Sequence, residues 1–313
     1  MILRAPFLLL ILGVFLAACS RAHTGEISYR AVEDGEIWFK NSAIQLRFDN
    51  EMYCRVFLVK GGKALSMNDI PIDPAIAKPT HFIEVDGKEV KDFRVDYRNV
   101  GASDIRTPLG TGKRLHLTGY ANTEQRLTVE KSLSVDFYQE LPDLAIFSVD
   151  YCNTDKNRSL SITKVVSNFF RLDAGRQHPG SPRYAFWCFQ GLASEKANEN
   201  PARLTPNFSQ ALSTRSAGVG PAERFPFIDL WTEEMGMAIG EIQTQSGALT
   251  LPLQVAPDRR VEISVQDHQT KTMGPNESLP VSKGFLMVHP GDYRLPWQRF
   301  REIGKVLGPV TQP

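Results

Sequence analysis

The sequence predicts an all-β fold, a large antiparallel β-supersandwich with a short C-terminal helix. Short segments alternate apolar and polar residues with a period of two, which is typical of half-buried strands. Turn-forming residues separate these segments, and helical spacing of apolar residues occurs only near the C-terminus. Sandwiches can exceed 200 residues as one domain, so we expect residues 27–294 of this 313-residue chain to form a single one.

The composition fits a folded chain with balanced charge. The sequence has 36 Lys and Arg against 35 Asp and Glu, which gives a formal net charge of +1. Binding to nucleic acid requires clustered basic residues, so we expect no nucleic-acid partner. The 18 Phe, 8 Tyr and 4 Trp can supply a core, which excludes an intrinsically disordered chain.

The first segment predicts a signal peptide. Residues 7–16 read FLLLILGVFL, an apolar stretch that is shorter than the roughly 20 residues of a membrane-spanning helix. The stretch ends in Leu16-Ala17-Ala18-Cys19, which resembles the lipobox of bacterial lipoproteins. The resemblance implies that residues 1–18 are removed and that Cys19 carries a lipid. An ordinary signal peptide with an incidental cysteine is the alternative.

The lipoprotein resemblance also implies a location. Residues 19–26 would form a short tether that holds the domain close to a membrane of the bacterial cell envelope. Ser20 resembles the sorting residue of outer-membrane lipoproteins, so we expect the outer membrane if the host is Gram-negative.

The strand pattern can be followed along the chain. Alternation predicts strands over residues 44–48, 93–97, 115–118, 127–135, 144–151 and 261–265. Asp86-Gly87 predicts the clearest hairpin turn. Residues 177–225 are rich in Pro, Gly, Ser and Asn and predict a long irregular region. In the C-terminal segment 295–313, Leu295, Phe300, Ile303 and Leu307 predict a short amphipathic helix.

The sequence carries no catalytic or metal-binding motif that we can identify. It has no phosphate-binding loop, no nucleophile elbow and no zinc-protease motif. After lipidation, Cys54, Cys152 and Cys188 remain, which allows at most one disulfide. The histidines are scattered, so we expect surface or packing roles for them. We therefore expect no cofactor and no metal site.

Aromatic residues suggest a carbohydrate site. Trp187 lies in YAFWCF and Trp231 ends FPFIDLW, beside Asp229. Aromatic rings stack on the apolar faces of sugars while polar neighbours bind the hydroxyl groups. We therefore predict that Trp187 and Trp231 stack on a sugar and that Asp229 accepts its hydroxyl protons. The alternative is that both tryptophans belong to the core.

Three stretches, in order, resemble the N-terminal domain of glycoside hydrolase family 36 α-galactosidases. They are LAIFSVDYCNTDKNRSLSITKVVSNFFRLD from Leu144, FIDLWTEEMGMAIGE from Phe227 and GFLMVHPGDYRLPWQRFREIGK from Gly284. The resemblance implies a β-supersandwich that is followed, in the family, by a (β/α)₈ barrel with both catalytic Asp residues. This chain ends at Pro313, so no catalytic residue can be assigned and we expect no activity from it alone.

Several functions remain open at this point. The first is a lipid-anchored galactoside-binding domain without turnover. The second is the N-terminal part of an α-galactosidase whose barrel lies on another chain or was lost when a gene was interrupted. A third is an enzyme on a mutarotase-like sandwich, with His289 and Asp292 as candidate groups, although Gly291-Asp292 also fits a plain turn. A structural envelope lipoprotein is the fourth, and a homo-oligomer is compatible with each.

Overall fold

The computed structural model describes residues 26–33, 35–71, 73, 76–177, 180–191, 201–213, 227–243, 249–268, 270–281 and 283–307. The predicted signal peptide, the lipidation residue Cys19 and most of the tether lie outside the described residues. Among the helices that the structure describes, none is long and apolar enough to cross a membrane.

The chain is built almost entirely from strands. They are β1 Ser28–Ala31, β2 Ile37–Lys40, β3 Ile44–Phe48, β4 Cys54–Lys60, β5 Lys63–Ser66, β6 Phe82–Val85, β7 Lys88–Val90, β8 Arg94–Val95, β9 Gly101–Thr107, β10 Gly110–Asn122, β11 Thr128–Tyr138, β12 Leu144–Asn153, β13 Leu160–Leu172, β14 Trp187–Gly191, β15 Ala202–Arg203, β16 Ser209–Ser213, β17 Phe227–Trp231, β18 Gly236–Gln243, β19 Leu249–Val255, β20 Val261–Asp267, β21 Lys271–Met273, β22 Ser278–Pro280 and β23 Lys283–His289. The helices are a 3-10 turn at Tyr97–Asn99, α1 Ala174–Gln177 and α2 Arg294–Leu307.

The strands form three antiparallel sheets. The first has the order β1-β2-β3-β4-β5. The large sheet has the order β15-β14-β17-β18-β23-β12-β11-β10-β8, with β22 added to β12 and β9 added to β10. The third has the order β16-β19-β20-β13-β6-β7, with β21 added to β13. Buried apolar residues from all three sheets form one core cluster, so the all-β prediction is confirmed.

Several local predictions are confirmed. Residues 44–48 form β3, and the predicted strand 144–151 lies within β12. Asp86 and Gly87 both have positive φ, 50° and 77°, as a tight type I′ hairpin turn requires. The C-terminal helix is present as α2, and it buries Phe300 and Ile303.

Two sequence predictions need correction. The described parts of the region 177–225 contain β14, β15 and β16, because β14 pairs with β17, a partner about 40 residues away that local patterns do not reveal. The segment 93–97 contains only the two-residue strand β8. It turns at Asp96, whose side chain accepts the N–H of Arg98 and caps the following 3-10 turn.

A lysine is buried in the core between the sheets. Lys131 on β11 is fully buried, and its Nζ donates to the main-chain oxygen of His81 at 2.8 Å. The Nζ atom also lies 5.2 Å from the centre of the Phe93 ring. Burial lowers the pKa of Lys131 to about 7. Lys131 makes no ion pair with any carboxylate that the structure describes.

Candidate functional site beneath the C-terminal helix

The structure brings the three predicted sugar-binding residues together on one face of the large sheet. Alternate residues of a strand point to the same face, so Phe227, Asp229 and Trp231 share a face of β17. Across the β14–β17 pair, Trp187 is in register with Trp231, and Phe189 is in register with Asp229.

Helix α2 covers most of this face with aromatic side chains. Tyr293, just before the helix, stacks on Phe189 with ring centroids 4.2 Å apart. Trp297 stacks on Phe227 at 5.6 Å. One turn further, Phe300 packs against Phe285 of β23 at 5.0 Å. These contacts form a continuous aromatic layer, which we call the helix-covered face, and they dock the helix onto the sheet.

A buried acid–histidine pair lies beneath this layer. His289 ends β23, and its Nε2 lies 2.9 Å from Oδ1 of Asp229, with both side chains fully buried. The strand β18 runs between them and places Gly236 beside His289. A Cβ atom at position 236 would lie 2.3 Å from Cε1 of His289, so a glycine is needed there to make room for the ring.

The two groups of the pair perturb each other electrostatically. Burial alone would lower the pKa of His289, but the charge of Asp229 and the hydrogen bond to it outweigh burial and raise that pKa. The second carboxylate oxygen of Asp229, Oδ2, is buried and has no hydrogen-bond partner among the described residues. Removing His289 would therefore leave a poorly satisfied carboxylate inside the protein.

The predicted sugar-binding residues differ sharply in exposure. Asp229 is 0% exposed and Trp231 is 7% exposed, so neither can touch a sugar in this conformation. For these two residues the proposed direct contacts are corrected: Asp229 accepts from His289, and Trp231 packs against Tyr293. Trp187 is 42% exposed at the open margin of the helix-covered face, and its stacking role stays a prediction.

The partnership of Asp229 with His289 was missed from sequence because the two residues are 60 positions apart. Asp292, the candidate base named with His289 for a mutarotase-like enzyme, forms an ion pair with Arg294. One signal was available. Asp229 interrupts an otherwise apolar strand, FIDLW, whose residues are all buried. A carboxylate in such a strand requires a polar partner.

The sealed pair cannot serve as an acid and base toward a substrate in this conformation. No ring or carboxylate atom of His289 or Asp229 contributes to the surface, so the mutarotase-like reading gains no support from this geometry. The described residues also contain no group of three or more His, Cys, Asp or Glu placed to hold a metal ion. Cys54, Cys152 and Cys188 are all free thiols. The pair links β17 to β23 across β18, and the aromatic contacts above it dock α2 on the sheet.

Comparison with known proteins finds similarity in fold but not in sequence. No protein-family model matches the sequence, and no curated protein sequence matches it. Solved structures do match. The chain is similar to the family 36 α-galactosidase AgaB from Geobacillus stearothermophilus, with a TM-score of 0.57 and 13% identity over 84% of this chain and 41% of that one.

Two further structures give the same result. The α-galactosidase from Lactobacillus brevis matches with a TM-score of 0.56 and 12% identity, over 91% of this chain and 42% of that one. The galactosidase domain of the α-galactosidase–sucrose kinase AgaSK matches with a TM-score of 0.59 and 11% identity, over 84% and 42%. The chain therefore has the fold of a part of these enzymes and spans about two fifths of their length. The family 36 resemblance is confirmed at the level of fold.

Proposed function

We propose that this protein is a lipid-anchored, carbohydrate-binding accessory domain of the bacterial cell envelope that does not turn over sugar by itself. The observation that supports the proposal is the fold likeness to family 36 α-galactosidases, which spans 84% of this chain and only 41% of AgaB. The part in common is a β-sandwich, and the lipobox-like segment that ends at Cys19 supports the anchor.

The solved structures suggest which sugars to try. Variants of AgaA, an α-galactosidase from Geobacillus stearothermophilus with similar structure, are described in complex with raffinose and with stachyose. We therefore propose α-galactosides as the ligand class of this chain. A sandwich domain can present a sugar site on an open face or at loop ends, with aromatic and polar groups side by side.

A calorimetric titration tests the proposal directly. The full lipidated chain, purified in a detergent without a sugar headgroup, is titrated with raffinose and stachyose, and released galactose is assayed in the same samples. We expect saturable binding and no galactose. Flat titrations with both sugars would contradict carbohydrate binding, and release of galactose would contradict the absence of turnover.

A second function is favoured by the same coverage figures. Since the similar enzymes are more than twice as long as the matched part, this chain can act as the sandwich part of an α-galactosidase whose barrel is a separate chain. The test is to mix it with a family 36 barrel chain encoded in the same genome. Galactoside hydrolysis that appears only in the mixture would favour this second function.

A further inference from the structure

An open pocket of about 560 Å³ lies at the end of the large sheet that is far from α2. Three segments line it: Glu51 between β3 and β4, residues 92–98 around β8, and residues 120–122 at the end of β10. Within the sheet, Tyr120 pairs with Glu130 of β11, and Glu130 pairs with Cys152 near the end of β12. At the opposite end of β12, Leu144 pairs with Met287, two residues before His289, so the pocket and α2 lie at opposite ends of the strands. The volume is typical of small-molecule sites, which are about 300–1,000 Å³.

The Glu51 side of the pocket is held in place by a tight turn. Oδ1 of Asp49 accepts the N–H groups of Glu51 and Tyr53, each at 2.9 Å. Met52, between them, is buried and has a φ of 62°, a conformation that few residues other than glycine adopt. The hydroxyl of Tyr53 donates to Oδ1 of Asp92 at 2.7 Å and ties the turn to the second segment. The pocket wall is therefore preorganised.

The polar groups of the pocket suit a neutral, hydroxyl-rich ligand. Its carboxylates are Glu51, Asp92 and Asp96, and its guanidinium groups are Arg94 and Arg98. Three negative and two positive charges make the lining unsuitable for an anion. Asp96 is already paired with Arg98 at 3.0 Å, whereas Arg94 makes no ion pair within the described part of the chain. This leaves acceptors and a donor facing the opening.

Glu51 lies among more negative than positive charge. Partial burial raises the pKa of Glu51, the nearby carboxylates of Asp92 and Asp49 raise it further, and the charge of Arg94 offsets part of this rise. A carboxylate in this situation gains from hydroxyl groups that donate hydrogen bonds to it, since such bonds favour the charged form. Sugar hydroxyls can supply those donors.

An exposed aromatic ring completes the pocket. Tyr120 is 38% exposed, and it lies on the outward-facing side of β10, where its hydroxyl interacts with Glu130. Further along the same face of the strand, His116 is exposed, and its Nε2 atom lies 3.3 Å from Oγ1 of the buried Thr118. Nδ1 of His116 in turn lies 3.3 Å from the hydroxyl of Ser134. The ring thus stands at one end of a polar strip on the sheet.

We infer that this pocket is a saccharide-binding site. A pyranose ring stacks on Tyr120, the carboxylates of Glu51 and Asp92 accept its hydroxyl protons, and the Arg94 guanidinium donates to its oxygens. The next sugar of an oligosaccharide lies over the exposed His116 and the neighbouring Ser134. The inference rests on the proposed function and replaces the sugar-stacking role that the sequence predicted for Trp187 with a site at Tyr120.

Four variants of the full lipidated chain test this site, with stachyose as the calorimetric probe in a detergent without a sugar headgroup. Tyr120→Ala removes the stacking ring, and Glu51→Gln removes one acceptor charge with little change of shape. Tyr29→Ala is the matched control, because Tyr29 on β1 is an exposed tyrosine at 41% outside the pocket. Trp187→Ala tests the competing aromatic. Urea unfolding confirms that each variant is folded.

We expect Tyr120→Ala to weaken stachyose binding at least tenfold and Glu51→Gln at least fivefold, with Tyr29→Ala and Trp187→Ala within twofold of the parent chain. Binding that survives Tyr120→Ala and Glu51→Gln but is lost in Trp187→Ala would overturn the pocket while leaving the proposed function intact. Parent protein that binds neither stachyose nor raffinose would overturn both.

Discussion

The two ends of the large sheet each bury an ionisable group, but only one of these groups is paired with an opposite charge. Beneath α2, His289 is paired with the carboxylate of Asp229. At the other end, Lys131 is in register with Gly119, the neighbour of Tyr120. Its Nζ donates to a main-chain oxygen, lies near the Phe93 ring and makes no ion pair among the described residues. A paired charge is tolerated inside a protein, whereas burial pushes an unpaired amine toward its neutral form.

The same two ends also differ in how they use aromatic residues. The helix-covered face collects many rings and closes them under α2, so that Trp231 is only 7% exposed. The open end offers the single ring of Tyr120 among polar groups. Aromatic clustering in the sequence therefore indicated packing, and an isolated ring on the polar side of a strand indicates a surface that a ligand can reach.

The largest expected effect on stability comes from breaking the Asp229–His289 pair. Asp229→Asn removes the charge that His289 requires, and we expect the free energy of unfolding to fall by about 3–5 kcal/mol, the usual cost of removing one partner of a buried pair. Urea unfolding at pH 6 measures it. Glu51→Gln at the open end is the control, with an expected change of at most about 0.5 kcal/mol. A loss below about 1 kcal/mol for Asp229→Asn would mean that the buried pair contributes little to the stability of the fold.

The unpaired end predicts a distinctive pH dependence. The pKa of Lys131 is lowered to about 7 in the folded protein, so the unfolded chain binds more protons between pH 7 and the ordinary lysine pKa. The contribution of Lys131 to the free energy of unfolding should therefore rise by roughly 3–4 kcal/mol from pH 7 to pH 10. Lys131→Met should abolish this rise. Parallel pH curves for the two proteins would contradict a neutral amine in the core.

The contribution of His289 to the free energy of unfolding should depend on pH with the opposite sign. The pKa of His289 is raised in the folded state, so its stabilising contribution is complete below the ordinary histidine pKa and is lost as the pH rises through the folded-state value. The difference in unfolding free energy between the parent protein and His289→Gln should therefore shrink above neutral pH. A difference that grows with pH would show that the imidazole is buried uncharged at all pH values.

The smallest expected effect on stability concerns the difference in exposure between two tryptophans. Trp187 is 42% exposed and Trp231 is 7% exposed. Trp187→Phe should remove much of the fluorescence that iodide quenches and change stability by less than about 0.5 kcal/mol. Trp231→Phe is the matched control, and it should leave quenching unchanged while lowering stability. Equal quenching losses in the two variants would contradict the closed helix-covered face.

The sequence predicts much of the fold because alternation and turn chemistry are local. β3, β12, the hairpin at Asp86-Gly87 and α2 could all be predicted in this way. β14 could not, since its pairing with β17 depends on a distant partner. The sequence also predicted that Leu295 packs on the apolar side of the helix, but Leu295 is 38% exposed. Periodicity alone does not determine how far a helix turns toward its sheet.

The candidate sites were less predictable than the fold. Asp229, Trp187 and Trp231 lie on one face of the sheet, but which of them is covered depends on where α2 docks. The pocket at Tyr120 joins three segments that lie far apart in the chain, so no short motif marks it. The position of Tyr120 in the polar phase of β10, between the buried Gly119 and Ala121, was the one local signal.

Hydrogen–deuterium exchange of the full chain, with and without saturating stachyose, tests most directly whether the open end binds sugar. The account predicts slower exchange in peptides that cover residues 49–53 and 92–98, and unchanged exchange in residues 187–191 and 227–231. Exchange that is unchanged throughout, or slowed only around Trp187, would contradict it.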